Sequence, residues 1–206
     1  MEQDERKAHW ESIYASHAEN EVSWFEPSPD TSLALIQATG LPKTAAVIDI
    51  GGGASRLVDA LLDHGYSDVT VLDLSEHALA TASARLGPRA REVGWIVADA
   101  TTWTPATTWD LWHDRAAFHF LTTPADRDAY VARLLQGLCP GGHLIIGTFA
   151  PHGPDRCSGL PVQRHDAASL AASLGPGFAL AETLLHDHTT PAGLTQRFQF
   201  SHFRRT

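Results

Sequence analysis

Ala45-Ala46-Val47-Ile48-Asp49-Ile50-Gly51-Gly52-Gly53-Ala54-Ser55 is the stretch on which the fold turns. Its first six residues read as a short apolar strand, and three successive glycines close it. A helical pattern then resumes through Leu57, Leu61 and Leu62 and runs to Gly65. Glycines between a strand and a helix let the backbone come close to a ligand, with helix amides pointing at it. The same alternation continues downstream. Strands are expected at Val69–Asp73, Gly94–Asp99, Trp109–Asp114 and His143–Phe149. Helices are expected from the Ser75 cap to Leu86 and from about Pro124 to Leu138, the latter leading into Cys139-Pro140-Gly141-Gly142. Strands apolar on both faces that alternate with helices predict a parallel sheet covered on both sides.

Upstream, residues 4–17 read as an amphipathic helix with Trp10, Ile13 and Tyr14 on one stripe. After the aromatic, proline-punctuated Val22–Pro29, a second helix capped by Asp30 or Ser28 carries Leu33, Leu35 and Ile36 to Gly40 and Pro42. The tail changes character. A short helix at Asp166–Leu174 precedes two strands, Phe178–Leu185 and Leu194–Phe203, joined near Pro191–Gly193, which predicts an antiparallel hairpin closing the sheet.

The chain has 206 residues, 43% of them hydrophobic and 19% charged, which suits one folded domain over 1–206 and not a disordered chain. No apolar run approaches the ~20 residues of a membrane span. The opening Met1–Lys7 lacks the basic-then-apolar order of a secretory signal. Fifteen basic residues against 24 acidic ones give a net charge of −9. Such a surface repels phosphate backbones and argues against a nucleic-acid partner. Cys139 and Cys157 form neither a CxxC pair nor a disulfide framework, so a cytoplasmic location is expected. His186 and His188 have strand spacing for two ligands on one face, but a third partner is missing and no metal is expected.

Asp73 ends the second expected strand about 20 residues after the glycines, where a carboxylate can accept hydrogen bonds from both hydroxyls of a ribose; Asp99 ends the third, where one can face an adenine amino group. Ligands of open α/β sheets lie beyond the carboxyl ends of the strands, so Asp49, Asp73 and Asp99 converge on one crevice, with Leu74 and Ala100 beside them. A dinucleotide fingerprint would need glycine where Arg56 stands, counting from Gly51. Residues 45–150 instead resemble the class I S-adenosylmethionine-dependent methyltransferases, whose pattern is acid-x-G-x-G-x-G; Asp49, Gly51 and Gly53 match and Ser55 replaces the last glycine. The resemblance implies a Rossmann-like three-layer sandwich with a mostly parallel seven-stranded sheet. It also implies S-adenosylmethionine as cofactor, with Asp49 supporting its methionine moiety and Asp73 its ribose. Residues 1–43 are then expected as a helical lid on the acceptor side, and 44–206 as the cofactor-binding core.

The stretch Trp112-His113-Asp114-Arg115-Ala116-Ala117, with Pro124, Asp126, Arg127 and Tyr130 after it, resembles the thiopurine and small-thiol S-methyltransferases, which carry W-D-R-G-A-L and then P-x-D-R-x-x-Y. His113 is an insertion relative to that pattern and Ala116 replaces its glycine. Gly153-Pro154, Pro161-Val162 and Trp24-Phe25 are similar to further segments of the same family. The resemblance implies that Arg115 lies near the acceptor sulfur and that His188 stands where those enzymes carry a second arginine.

On chemical grounds, a thiol attacks as its thiolate, an arginine lowers its pKa, and a histidine titrating near neutrality can take its proton. Arg115 with Asp114 and with His113, His119 or His188 supplies such a set, and Trp24, Phe25 and Phe149 form an apolar wall around the sulfonium. A small-molecule acceptor, most readily a thiol or sulfide, is therefore expected, acted on by a monomer or homodimer. Other readings stay open. Trp10, Tyr14 and Trp24-Phe25 also resemble small lysine methyltransferases that act on translation factors. A nicotinamide-dependent oxidoreductase and a non-catalytic cofactor-binding module are the remaining alternatives.

Overall fold

A computed structural model describes residues 3–206; Met1 and Glu2 lie outside the described residues. Helices α1 (Gln3–Ser16) and α2 (Asp30–Ala38) precede β1 (Ala46–Ile50). Then come α3 (Leu57–Asp63), β2 (Asp68–Asp73), α4 (Glu76–Leu86), β3 (Val93–Val97), β4 (Trp109–Arg115), α5 (Pro124–Gly137) and β5 (Leu138–Phe149). A two-residue ladder, β6 (Arg156–Cys157) with β7 (Leu160–Pro161), leads to α6 (Ala167–Leu174) and the hairpin of β8 (Phe178–Thr189) and β9 (Thr195–Arg205). The seven longer strands lie in the order β3-β2-β1-β4-β5-β9-β8. The first five are parallel, and β9 runs antiparallel between β5 and β8. Strand order reverses between β1 and β4, which is where ligand crevices of such sheets open. Among the described residues no helix is long and apolar enough to cross a membrane.

The two-residue period of the strands splits the core into the expected layers. Val47 of β1 packs with Leu33 and Ile36 of α2, Leu57 and Leu61 of α3, and Leu79 of α4. Ile48 and Ile50 point the other way, to Leu134 of α5 and to Leu170 and Leu174 of α6. Asp49 therefore lies on the α2–α3 face, and the parallel register sets it directly beside His113 of β4.

Several boundaries differ from the sequence expectation. Ladder pairing in β3 ends at Val97, after which Ala98 donates its N–H to the Asp73 carbonyl at 2.9 Å, so Asp99 stands in a loop. β5 begins at Leu138 and absorbs Cys139-Pro140-Gly141-Gly142, with the irregularity taken up as a register shift between Trp109 and Leu111. The cap position of α2 is Pro29, without a side-chain cap; the Ser28 hydroxyl donates to the Asp30 carboxylate. β8 runs on to Thr189, which brings His186 and His188 into the sheet.

Beyond β4, the Asp114 carboxylate is fully buried. Its Oδ1 accepts the N–H groups of Ala117 (3.0 Å) and Phe118 (3.1 Å), and its Oδ2 accepts the Tyr130 hydroxyl at 2.7 Å. The Trp112 indole N–H donates in turn to the Tyr130 oxygen at 2.8 Å. Ala116 pays for this turn with a φ of +67°, a left-handed conformation costly for any residue with a Cβ, at the position where the resembling family carries glycine. Tyr130→Phe strands a buried indole N–H and a buried carboxylate oxygen together. Urea unfolding is expected to show a loss of roughly 1–3 kcal/mol with an unchanged denaturant slope.

Candidate active site

The glycine turn after β1 is held by the neighbouring strand: the N–H groups of Gly51 and Gly52 both donate to the Leu72 carbonyl, at 2.7 and 3.2 Å. Gly51 has a φ of +65°, and a Cβ there would stand 2.5 Å from the Ala117 Cβ. Gly53 has a φ of +50°, and a Cβ there would meet the Tyr14 hydroxyl at 2.5 Å. Both positions therefore need glycine for conformation and for close approach.

Two cavities flank this turn. The first, about 810 Å³ counting its open mouth, lies over the carboxyl ends of β1–β4 between Ile50, Leu72, Asp73, Leu74 and the Ala98–Thr101 loop. Helix α1 roofs it. Arg6 Nη2 reaches Asp99 Oδ2 at 3.0 Å and Nη1 reaches Asp126 at 3.3 Å. Glu11 accepts from the Ser75 hydroxyl at 3.0 Å and from the Glu76 N–H at 2.7 Å, closing the N-terminus of α4. Trp10 stands edge-on to Trp24 and Phe120, with ring centroids 5.7 and 4.9 Å away. The expected acceptor-side lid is thus divided: α1 covers this crevice, and residues 19–32 wall the second cavity.

That second cavity, about 580 Å³ with its mouth, lies between the glycine turn, α2 and the 19–29 connection. On its floor Asp49 Oδ1 accepts from His113 Nδ1 at 2.6 Å, while His113 Nε2 meets the Ser32 hydroxyl at 2.9 Å. Both ring nitrogens of His113 are used, and the ring is buried. Glu19 is held between Arg56 and Arg85, and Arg56 lies over the Phe25 ring at 5.6 Å.

Arg115 belongs to both cavities, as do Gly51, Tyr14 and Trp24. Its Nη1 donates to the Trp24 carbonyl at 3.0 Å and its guanidinium lies 4.8 Å over the Phe198 ring. Nη2 sits 3.0 Å from Glu26 Oε1 in an ion pair, and Nε remains a buried donor without an acceptor.

The remaining expected residues divide. Asp73, Leu74, Asp99 and Ala100 line the first cavity, Asp49, His113 and Phe25 the second, and Trp24 both. Asp114 lines neither, and its carboxylate is consumed by the turn that follows it. Phe149 is fully buried in the core beside Phe198, so it is no part of an acceptor wall. His119 also lies outside both cavities, between Phe120 and Phe149, and burial, helped by the Arg115 charge, pushes it down to about 3. Such a ring stays neutral. His188 is buried, with Nε2 donating to the Ser23 carbonyl at 2.8 Å and Nδ1 3.7 Å from Glu26. Cys157 lines the first cavity, and burial raises its thiol to about 11. Among the described residues no group of three or more His, Cys, Asp or Glu side chains is arranged to hold a metal. Arg6, Glu11, Glu26 and Ser32 were not singled out in the sequence. Each meets the site only through contacts distant along the chain, and none belongs to a motif.

Residues 47–142 match the methyltransferase domain family. The chain is 31% identical to trans-aconitate 2-methyltransferase of Streptomyces avermitilis over 88% of its own length and 64% of that protein's, so it spans less than two thirds of that relative. It is 28% identical to thiocyanate methyltransferase 1 of Arabidopsis thaliana, over 88% of this chain and 78% of that one. A solved structure from work on conversion of a disulfide bond into a thioacetal group in echinomycin biosynthesis superposes with a TM-score of 0.75 at 22% identity, covering 97% of this chain and 92% of that one. Residues 47–142 are thus similar to methyltransferase domains, and the fold is the one seen in the echinomycin-pathway structure. The nicotinamide alternative is left without support.

The residues present fit an adenosine-bearing sulfonium. A Cβ at any of the three glycines would stand 2.5–2.6 Å from a neighbouring side chain, so the turn between the two cavities needs glycine throughout. Asp73 accepts the Ser75 N–H through Oδ1 at 2.8 Å and is otherwise a buried carboxylate at a cavity wall. Burial, reinforced by the like charge of Asp49, raises Asp73 to about 7. Both carboxylate oxygens are free to accept from ribose hydroxyls only in the ionised form, so ribose binding there would be linked to deprotonation. S-Adenosylhomocysteine affinity is therefore expected to weaken as pH falls below about 7 and to level off above it. Calorimetry on Asp73→Asn should show that dependence gone and affinity lower by about tenfold or more.

Proposed function

We propose that the chain is a cytoplasmic enzyme, working as monomer or homodimer, that moves a methyl group from S-adenosylmethionine to a small thiol or sulfide by direct in-line displacement. The observation that carries this reading is a buried arginine, Arg115, standing where the two cavities meet with its Nε–H lacking an acceptor. The cofactor supplies an electrophilic methyl group on a sulfonium. Asp73 would hold its ribose, Asp99 face its base with Leu74 and Ala100 alongside, and Asp49 with Gly51 and Gly53 support its methionine end. Trp24 and Tyr14, rings packed 6.0 Å apart, supply the apolar wall that excludes water. Phe25 borders the acceptor.

Arg115 acts on the acceptor. A guanidinium beside a thiol favours the thiolate, lowering its pKa by about 1–3 units, and its unpaired Nε–H fixes the direction of attack. The sulfur-containing acceptor in the name of the Arabidopsis relative supports an anionic sulfur nucleophile. A protein-lysine acceptor is disfavoured, because an ammonium entering the junction would meet the Arg115 cation.

Incubation with hydrogen sulfide, methanethiol and aromatic thiols is expected to yield S-adenosylhomocysteine together with methanethiol from sulfide and the matching methyl thioether from each thiol. Absence of product across that panel would remove the thiol reading. Arg115→Ala should lower kcat/KM by roughly 10- to 1,000-fold, the thiolate fraction lost with the pKa shift, while cofactor affinity stays near that of the wild type.

A further inference from the structure

Glu26 sits in the connection between α1 and α2 and lines the second cavity beside Arg115. We propose that Glu26 takes the proton from the acceptor and that the site thereby selects nucleophiles that arrive neutral and protonated over permanent anions. The proposal rests on the methyl-transfer reading above.

The other bases within reach are already engaged. Both nitrogens of His113 are bonded, and Asp49 is its partner. Glu19 is shared by Arg56 and Arg85, and Asp114 is spent on its turn. Glu26 differs. Three groups surround it: Arg115 from the end of β4, with Nη2 at 3.0 Å, and His188 Nδ1 at 3.7 Å and His186 Nε2 at 4.0 Å from β8. All three approach the same oxygen, Oε1, and no hydrogen bond or ion pair given by the described residues uses Oε2. A carbonyl can only accept, so the 2.8 Å contact with Ser23 fixes the His188 proton on Nε2, and Nδ1 offers Glu26 no N–H. His186 is anchored separately, its Nδ1 3.1 Å from the Thr31 hydroxyl. Asp49–His113 and Glu19–Arg56 complete the charged groups of the cavity.

The charge balance gives the selectivity. Arg115 and Glu26 cancel while the acceptor position is empty. A permanent anion such as thiocyanate brings a second negative charge beside a buried carboxylate, which is unfavourable in a poorly solvated site. A neutral thiol brings none. Its S–H bond breaks heterolytically, the proton passes to Glu26 Oε2, and the electron pair stays on sulfur beside Arg115. That pair forms the new bond to the methyl carbon as the methyl group's bond to the sulfonium sulfur breaks, with those electrons remaining on the departing sulfur. Net charge within the site is conserved until Glu26 releases its proton to water through the cavity mouth.

The test compares full-length wild type with Glu26→Gln, using methanethiol and thiocyanate as alternative acceptors between pH 6 and 10, with S-adenosylhomocysteine binding measured in parallel. Glu26→Gln is expected to keep cofactor affinity and to lose about 100-fold or more in kcat/KM for the thiol near neutrality. That loss should recover about tenfold per pH unit as solution thiolate replaces the missing base, and thiocyanate turnover should rise above that of wild type. A Glu26→Gln enzyme with the wild-type rate and profile on thiols, or a wild type that prefers thiocyanate, overturns the proposal. Should Glu26→Gln fail to bind the cofactor, Glu26→Asp decides: a reduced rate with the wild-type profile supports the proposal, and an unchanged rate refutes it. A wild type inactive on both acceptors at every pH shows instead that the thiol-methylation reading has failed, and this proposal falls with it.

Discussion

A carboxylate with no access to water governs the geometry at the end of β4. Burying Asp114 costs several kcal/mol unless its oxygens are fully hydrogen-bonded, and the chain meets that demand with two backbone amides and the Tyr130 hydroxyl. The turn that supplies those amides forces Ala116 into a left-handed conformation and lets the adjacent Arg115 project on the opposite side of the strand. Arg115 thus reaches both cavities because its neighbour cannot leave the core. The Trp112–Tyr130 bond ties the same network to α5, and the cap of α5 brings Asp126 to Arg6 in α1. One buried charge connects Arg115 at the junction of the two cavities, the sheet and the roof that α1 lays over the first cavity.

The roof is held by charge where the walls are apolar. Arg6 bridges Asp99 and Asp126, and Glu11 satisfies the first amides of α4. Such a carboxylate at a helix N-terminus is favourable for both the orphan amides and the helix dipole. Tyr14 completes the cover by laying its hydroxyl against Gly53, so the glycine serves the roof as well as the ligand. Burial also keeps Asp73 raised to about 7 in a site where ribose hydroxyls would be its natural donors.

The strand-helix alternation, the seven-stranded sheet and the closing hairpin were legible because period-two and period-3.6 apolar patterns are local properties of the chain. The glycine turn and the three strand-end acids were legible too, since β–α connections place those residues at one sheet edge. Strand ends were less so: β5 absorbs a Cys-Pro-Gly-Gly segment that reads as a loop, because pairing with β4 and β9 overrides the local signal. Asp114 and Arg115 look like a pair in sequence. In space they face different surroundings, and a burial difference of that kind has no local signature. Phe149 and His119 read as site residues for the same reason and lie in the core.

By itself, then, the sequence determined the parallel sheet, its closing antiparallel pair and the glycine turn with its nearby carboxylates, because each follows from residue periodicity and from the glycines that end β1. Only the tertiary structure decided that α1 roofs the cofactor crevice, that His113 is bound to Asp49 and Ser32, and that Glu26 faces Arg115 and His188. Those contacts join segments between 64 and 162 residues apart, among them Asp49 with His113 and Glu26 with His188. Their formation depends on packing and charge compensation after the chain has closed, and no short window of sequence carries either.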